Sequence, residues 1–221
     1  MQQLLLALAP PPPPTLENFF PGRNGAVLGA LRAALAGGEA FVYLWGAAGS
    51  GKTHLLRGFA RAAGPDAAYF QAAGADSNCL ETLKSVAIDD VSRLDEPGQL
   101  ALFDLCNRLR ASGGVLVASG TVPPAELALR ADLRSRLASG IVLQIHPLGD
   151  AEKARALRGH ATERGLAMDE ALIGYLLTHF ERDMGTQIAL LDALDRYSLQ
   201  RQRGITLPLL KEVLQQLRPA Q

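Results

Sequence analysis

The chain is 221 residues long and 48% hydrophobic, which suits one large domain or a core domain with a smaller appendage. Its 22 basic and 22 acidic residues cancel, so the sequence lacks the overall positive field of a dedicated nucleic-acid-binding protein. No stretch is apolar for long enough to span a bilayer, and Cys79 and Cys106 are not spaced as metal ligands or as a redox pair. We therefore expect reduced cysteines and a cytoplasmic protein with no membrane partner.

The first 14 residues join a leucine-rich peptide to a run of prolines, Pro10–Pro14. Such a peptide cannot form a core alone, and the prolines would hold it extended and away from the body. Its spacing resembles the hexapeptide with which bacterial proteins dock on the DNA sliding clamp, the β subunit of DNA polymerase III. The residues at the matching positions are Gln3, Leu4, Leu6 and Leu8. The alternative is an apolar terminus that folds back on the domain.

An apolar run, Phe41–Trp45, is predicted to be a buried strand, and residues 52–63 are predicted to be a helix. Between them, Gly46–Thr53 fits the pattern G-x-x-x-x-G-K-[ST]. In this setting the backbone N–H groups face phosphates, the lysine contacts the β- and γ-phosphates and the threonine hydroxyl ligates Mg²⁺. We predict that ATP or ADP is bound by Gly46, Ala47, Ala48, Gly49, Ser50, Gly51, Lys52, Thr53 and His54. A glycine-rich turn without a ligand is the alternative.

A second apolar run, Ser85–Ile88, ends in two acids, Asp89 and Asp90. A weak strand is predicted before it at residues 67–71 and a short helix near residues 80–83. A buried parallel strand presents such carboxylates at its C-terminal edge, beside the phosphates. We predict a Walker B pair in which Asp89 ligates Mg²⁺ and Asp90 polarises an attacking water. A strand end followed by a helix cap is the alternative.

Polar residues again follow an apolar run, Val115–Ala118, which comes after a helix predicted over residues 97–111. P-loop ATPases that have an extra strand between the two Walker elements carry a polar residue at this strand end, where it senses the γ-phosphate. Ser119 or Thr121 is the candidate sensor in this chain.

Three arginines lie close together in a short segment predicted to be helical, residues 130–137, before a strand predicted at residues 141–144. They are Arg130, Arg134 and Arg136, and only one acid accompanies them. Their charges would repel one another unless an anion is nearby. A solvated basic face is the alternative.

From residue 150 onward, apolar residues recur at helical spacing in four segments: 150–164, 169–180, 184–201 and 207–217. We predict an α/β fold with a parallel sheet flanked by helices, a nucleotide at the C-terminal ends of the strands, and a small all-α lid. The predicted organisation is a docking peptide and proline-rich linker in residues 1–14, a nucleotide-binding domain in residues 15–149 and a lid in residues 150–221.

This order of elements resembles that of the AAA+ ATPases, and four segments resemble the ATPase domain of the bacterial replication initiator DnaA. They are Asn18–Asn24, Asp89–Asp90, Val122–Leu127 and Leu133–Leu137. The resemblance spans residues 15–217, and the chain is too short to add the helicase-interacting and DNA-binding domains of DnaA. With its clamp-like peptide, the chain resembles the regulatory inactivators in the DnaA-related subfamily, which dock on DNA-loaded clamp and make DnaA hydrolyse its ATP.

The resemblance implies negative regulation of replication initiation, with the clamp and DnaA as partners and DNA contacted only through the clamp. Arg136 matches the arginine-finger position and would reach a nucleotide held by DnaA. The P-loop and Asp89 would hold this chain's own ADP or ATP and Mg²⁺. A homodimer is a further expectation.

One position departs from the family pattern in the predicted lid. Gly185 falls in the sensor II stretch where an arginine would contact the phosphates, and Arg182, one turn earlier, is the possible substitute. The loss of that cation predicts slow hydrolysis by this chain itself, or ADP as its usual nucleotide. We therefore expect an activator of ATP hydrolysis by DnaA rather than an efficient ATPase.

Two other functions stay open from the sequence alone. One is an autonomous AAA+ ATPase, such as a helicase loader or a clamp-loader subunit, which would turn over nucleotide by itself. The other is a nucleotide-dependent adaptor on the clamp, in which Arg136 would be dispensable. The tethered peptide and Gly185 favour the regulatory function over an autonomous motor.

Overall fold

The computed structural model describes residues 13–72, 82–163, 165–166, 168–179, 184–201, 204 and 206–210. The chain divides into two compact units, one of which is Pro14–Pro147, while the described residues from Leu148 onward belong to the other. Within the described residues, no helix has both the length and the apolar character needed to cross a membrane.

A parallel sheet of five strands in the order β2-β3-β4-β1-β5 forms the centre of the first unit. The strands are β1 (Phe41–Trp45), β2 (Ala67–Gln71), β3 (Ser85–Asp89), β4 (Val115–Gly120) and β5 (Ile141–Gln144). The helices are α1 (Gly25–Leu35), α2 (Lys52–Ala62), α3 (Glu96–Ser112) and α4 (Ala131–Ala138). The prediction of an α/β fold with a parallel sheet and flanking helices is confirmed.

Both faces of the sheet are covered, which explains why its central strands are apolar throughout. On one face, α3 and α4 contribute Leu105, Leu109 and Leu133 to a core with β3 and β4. On the other face, α1 and α2 contribute Leu31 and Phe59 to a second core. The sheet therefore holds the C-terminal ends of β1, β3 and β4 side by side, which is where the predicted site residues follow.

Local sequence sets the ends of α3. The carboxylate of Asp95 accepts a hydrogen bond from the backbone N–H of Gly98 at 2.9 Å, and Pro97 occupies the first turn. Gly113 ends the helix with φ of +68°, a left-handed conformation that glycine adopts without steric cost. The helix predicted at residues 97–111 is thereby one residue longer at each end.

A short segment, Thr15–Phe19, packs against α2. The backbone N–H of Thr15 donates to Asn18 Oδ1 at 2.8 Å, and that of Asn18 donates to Thr15 Oγ1 at 3.1 Å. Leu16 is buried in the core beside α2, and a Cβ at Gly58 would lie 2.8 Å from the Thr15 carbonyl carbon. Glycine at this position lets the segment approach the helix closely.

The second unit contains α5 (Asp150–Glu163), α6 (Glu170–His179) and α7 (Met184–Arg201), and Leu207–Leu210 is also helical. Its core is built mainly of leucines at helical spacing, among them Leu157, Leu172, Leu176, Leu191 and Leu194. These helices agree with the predicted all-α lid.

One predicted element differs in its described part. The short helix expected near residues 80–83 lies partly outside the described residues, and at Thr82 and Leu83 the chain forms a turn and an irregular segment. The backbone N–H groups of Lys84 and Ser85 both donate to the Asp66 carbonyl, at 2.9 Å and 3.2 Å, so the chain here enters β3 instead of continuing a helix.

Candidate functional site

The loop between β1 and α2 changes direction at glycines with positive φ. Gly49 has φ of +73° and Gly51 has φ of +99°, values that side-chain-bearing residues rarely adopt. A Cβ at Gly51 would also lie 2.8 Å from Phe19 Cε2. Both features require glycine at position 51, where the loop enters the helix. Helix α2 then begins at Lys52.

Lys52 folds back over this loop. Its Nζ donates to the carbonyl oxygens of Gly46 at 2.6 Å and Ala47 at 2.9 Å. Partial burial lowers the pKa of Lys52, while the nearby charges of Asp89 and Asp90 act in the opposite direction. The ammonium group is thus held at the loop by uncharged acceptors.

Asp89, at the end of β3, accepts hydrogen bonds from three hydroxyl groups. Thr53 donates to Oδ2 at 2.5 Å, Tyr69 donates to the same oxygen at 3.0 Å, and Ser119 donates to Oδ1 at 2.5 Å. Asp89 is 6% exposed, so these bonds replace water around its carboxylate. The structure thereby brings together predicted residues from α2, β3 and β4.

Tyr69 is the member of this cluster that the sequence analysis missed. Burial, followed by the charge of Asp89 and the hydrogen bond to it, raises the pKa of Tyr69. A signal was present: a tyrosine stands in the strand predicted at residues 67–71, just before the strand that carries the acids. The sequence could have assigned this tyrosine to the site only with the knowledge that β2 pairs directly with β3.

Asp90 has a different environment from Asp89. Its backbone is left-handed, with φ of +57°, and its N–H donates to Ser119 Oγ at 3.0 Å. Arg93 Nε lies 2.9 Å from Asp90 Oδ2, and Ser92 donates a hydrogen bond to Oδ1. Of the two sensor candidates on this strand end, Ser119 is buried between the acids and Thr121 is exposed beyond the end of β4.

His54 is placed against the segment Thr15–Phe19. Its Nε2 lies 3.0 Å from the Thr15 carbonyl oxygen and 2.9 Å from Asn18 Oδ1, and its ring centre lies 5.6 Å from that of Phe19. Among the predicted nucleotide-binding residues, His54 is thus the one that ties α2 to the N-terminal segment.

The loop fits a phosphate-bearing ligand on two observations. The hydroxyl of Ser50 is buried and, within the described part of the chain, has no hydrogen-bond partner, which is costly unless a ligand or water supplies one. Within the described residues, Lys52 Nζ donates to two carbonyl groups, which an anion would replace. Thr53 and Asp89 supply the hard oxygen atoms that Mg²⁺ prefers.

Protein groups alone would not enclose a metal ion here. No group of three or more His, Cys, Asp or Glu side chains suited to a metal exists among the described residues. Mg²⁺ in nucleotide sites usually takes one or two protein ligands and completes its shell with phosphates and water. The donor set therefore suits Mg²⁺ that arrives with a nucleotide.

The three arginines near α4 have three different environments. Arg130 forms a two-pronged pair with Asp132, at 3.2 Å and 2.8 Å, and the hydrogen bond from Arg130 lowers the pKa of that carboxyl. Arg134 donates to the carbonyl oxygen of Ala125 at 3.3 Å. The guanidinium carbon of Arg136 lies 5.6 Å from the ring centre of Phe103. Acids thus neutralise Arg130, whereas no ion pair within the described residues involves Arg134 or Arg136.

Several predicted site residues lie outside the described residues. They are the four positions of the docking peptide, Gln3, Leu4, Leu6 and Leu8, and the sensor candidate Arg182. Gly185 is the second residue of α7.

Comparison with known families identifies the C-terminal part of the chain. A family model described as the lid domain of Hda matches residues 150–214. An uncharacterized protein of Haemophilus influenzae is 35% identical over 229 residues, which covers 96% of this chain and 98% of that protein.

Solved structures share the fold. Domain III of the Thermotoga maritima replication initiation protein DnaA is 21% identical with a TM-score of 0.73, and the match covers 96% of this chain and all of that one. DnaA from Aquifex aeolicus, bound to AMPPCP, is 24% identical with a TM-score of 0.69, and the match covers 86% of this chain and 70% of that one.

Proposed function

The chain belongs to the Hda-like, DnaA-related AAA+ proteins, and on that premise we propose that it inactivates the replication initiator DnaA. In this proposal it docks on DNA-loaded sliding clamp, holds a nucleotide in its own P-loop, and stimulates hydrolysis of the ATP bound to DnaA. The frequency of replication initiation is thereby lowered. The observation that carries the proposal is the environment of Arg136, a cation that has an aromatic neighbour but no ion pair within the described part of the chain.

The chemistry of a guanidinium group supports a role for Arg136 in trans. A phosphoryl group accumulates negative charge on its oxygens as it is transferred. An arginine finger from a second protein offsets that charge and raises the rate of transfer by roughly 10³–10⁵-fold. The planar fork of the guanidinium can donate two parallel hydrogen bonds to phosphate oxygens. Phe103 orients this fork without neutralising it, because an aromatic ring carries no net charge.

The P-loop would serve this chain's own nucleotide. Lys52 would exchange its bonds with Gly46 and Ala47 for bonds to phosphate, and the hydroxyl of Ser50 would gain a partner. Thr53 and Asp89 would hold Mg²⁺, which supplies positive charge next to the phosphates when it is bound. Gly185, in the first turn of α7, supplies no cation for this nucleotide, so we propose that ADP supports the activity.

The N-terminal peptide would deliver the protein to its target. Gln3, Leu4, Leu6 and Leu8 are proposed to bind the clamp, and the prolines that follow would act as a semi-rigid spacer. The described segment Thr15–Phe19 fixes the end of that spacer to α2 through Leu16 and His54. The tether thus joins the body beside the P-loop helix, and clamp-bound DNA would raise the local concentration of the protein near DnaA.

The test is hydrolysis of radiolabelled ATP bound to DnaA, in the presence of clamp-loaded DNA and ADP. It compares the intact protein, Arg136→Ala, and a variant that lacks residues 1–8. We expect the intact protein to stimulate hydrolysis, and we expect both variants to lose the stimulation. For Arg136→Ala the expected loss is at least about 10³-fold, the lower range for a finger that acts in trans.

Arg130→Ala is the matched control. It removes an arginine charge from the N-cap position of α4, the helix that carries Arg136, but Arg130 is already paired with Asp132. It should therefore keep stimulation within about threefold of the intact protein, since exposed ion pairs contribute little. No stimulation by the intact protein would exclude the proposed function. Full activity of Arg136→Ala would instead favour a clamp-bound adaptor that has no finger.

A further inference from the structure

We propose that Tyr69 is a positioning residue for Asp89, and that its hydroxyl orients the carboxylate for Mg²⁺ in the P-loop site. The inference rests on the proposed nucleotide site and adds to it a residue from β2, outside the P-loop and outside the Walker B strand. It concerns how the site is held together rather than which group reacts.

The sheet register brings Tyr69 to Asp89. Strands β2 and β3 run parallel, with Gln71 beside Asp89 and Tyr69 beside Ala87, so the tyrosine begins two residues before the acid. Its long side chain spans that offset, and Oη donates to Asp89 Oδ2 at 3.0 Å. A shorter hydroxyl at this position would not reach, because two residues along a strand correspond to about 7 Å.

The two carboxylate oxygens of Asp89 have separate partners. Ser119, on β4, holds Oδ1, while Thr53 and Tyr69 both donate to Oδ2. Thr53 has a single hydroxyl hydrogen and lies at the start of the P-loop helix, so its bond depends on the state of that loop. Tyr69 approaches from the sheet and therefore keeps a donor on Oδ2 when the loop rearranges around phosphate.

The tyrosine ring is itself held in place. The guanidinium carbon of Arg57, on α2, lies 4.9 Å from the centre of the Tyr69 ring. Such a contact between a cation and an aromatic face restricts the ring, and Arg57 also forms a hydrogen bond with the Tyr69 hydroxyl. A phenylalanine at position 69 would keep the contact with the ring face and lose the hydroxyl, and with it the hydrogen bonds to Asp89 and Arg57.

The test uses Tyr69→Phe and measures ADP affinity by titration calorimetry, once with Mg²⁺ and once with EDTA. Hydrogen-bond partners of metal ligands typically contribute 10- to 100-fold to metal affinity. We expect the gain in ADP affinity that Mg²⁺ brings to be about tenfold smaller in Tyr69→Phe than in the intact protein. The affinity in EDTA should stay within about twofold, because Tyr69 itself does not face the phosphates in this proposal.

Tyr43→Phe is the matched control. It makes the same chemical change on β1, where the hydroxyl donates to the Val122 carbonyl at 2.9 Å and not to Asp89. It should leave the Mg²⁺ gain unchanged. An equal loss in both variants, or a loss in Tyr69→Phe that is the same with Mg²⁺ and with EDTA, would overturn the positioning role and indicate a general effect on the sheet.

The intact protein separates this inference from the function on which it rests. If the intact protein binds ADP with a Mg²⁺ gain and Tyr69→Phe shows the same gain, the role of Tyr69 is wrong and the nucleotide site stands. If the intact protein binds no ADP in either condition, the proposed nucleotide site is wrong, and the positioning role is overturned with it.

Discussion

The P-loop and the arginine helix α4 use charge in opposite ways. At the P-loop, the buried carboxylate of Asp89 receives three hydroxyl hydrogen bonds, from two strands and a helix of its own unit. At α4, Arg134 donates to the backbone carbonyl of Ala125 and Arg136 lies against the face of Phe103. One charged group is satisfied within the chain, and the other two lack an anion within the described residues.

This difference indicates which site is complete. A buried carboxylate is tolerated when hydrogen bonds replace its hydration, so the Asp89 cluster is ready before any ligand arrives. Two neighbouring cations repel each other unless an anion lies close, so α4 gains electrostatic energy from a negatively charged group brought from outside. In the proposed function, that group is the nucleotide on DnaA.

The largest effect that we expect on this chain's own nucleotide binding is at the P-loop. Lys52→Ala removes the ammonium group that contacts the loop, and hydrogen bonds to charged groups contribute about 1.5–3 kcal/mol. We expect this variant to bind ADP about 10- to 100-fold more weakly, because each 1.4 kcal/mol corresponds to a factor of about ten. Fluorescence titration with a labelled ADP measures the change.

Two variants make this prediction specific. Arg61→Ala removes one positive charge from the last turn of the same helix and should bind ADP as the intact protein does. Arg136→Ala should also retain its own ADP binding, since in the proposed function Arg136 acts on the partner's nucleotide. An equal loss of ADP affinity in Lys52→Ala and Arg61→Ala would mean that overall charge, rather than the P-loop, governs binding.

The two regions also differ in how far the sequence predicted them. The P-loop is a local pattern, because consecutive N–H groups and one lysine make the phosphate cradle, and so it was predicted before the fold was known. Tyr69 was missed because its contact with Asp89 depends on which strand pairs with β3. His54 was assigned to the nucleotide from the motif, yet its contacts with Thr15 and Asn18 depend on where a distant segment packs.

The arginine helix shows the same limit. The sequence predicted that three cations would repel one another, but the turn at the start of α4 brings Asp132 into a two-pronged pair with Arg130. Side chains two residues apart do not face each other within a regular helix, so the sequence pattern did not predict this contact. Arg130 therefore differs from the other two arginines, which the sequence could not distinguish.

A second prediction tests whether α4 truly lacks an internal anion. The buried side chain of Cys106 lies close enough for the charges of Arg136 and Arg110 to act on it, and its thiolate would be such an anion. Burial raises the pKa of Cys106 to about 12, and the two arginines offset only part of that effect. The thiol is therefore expected to stay neutral at physiological pH.

The sign of the pH dependence follows from this pKa. Above about pH 8.5, where an unfolded cysteine loses its proton, the folded protein still binds it, so the free energy of unfolding falls as pH rises. Between about pH 9 and about pH 10, the free energy of unfolding measured with urea should fall by about 1 kcal/mol more for the intact protein than for Cys106→Ala. Equal losses would mean that the thiol ionises in place and neutralises Arg136 from within the chain.

The smallest expected effect concerns Arg134. Its guanidinium donates to the Ala125 carbonyl of its own chain, whereas Arg136 lies against the ring of Phe103. We expect Arg134→Ala to lower stimulated hydrolysis of DnaA-bound ATP less than about threefold, and to change the free energy of unfolding by about 0.5 kcal/mol or less, as for most surface substitutions. The hydrolysis assay above and urea unfolding measure the two effects. A loss as large as that of Arg136→Ala would show that both arginines act on the partner's nucleotide.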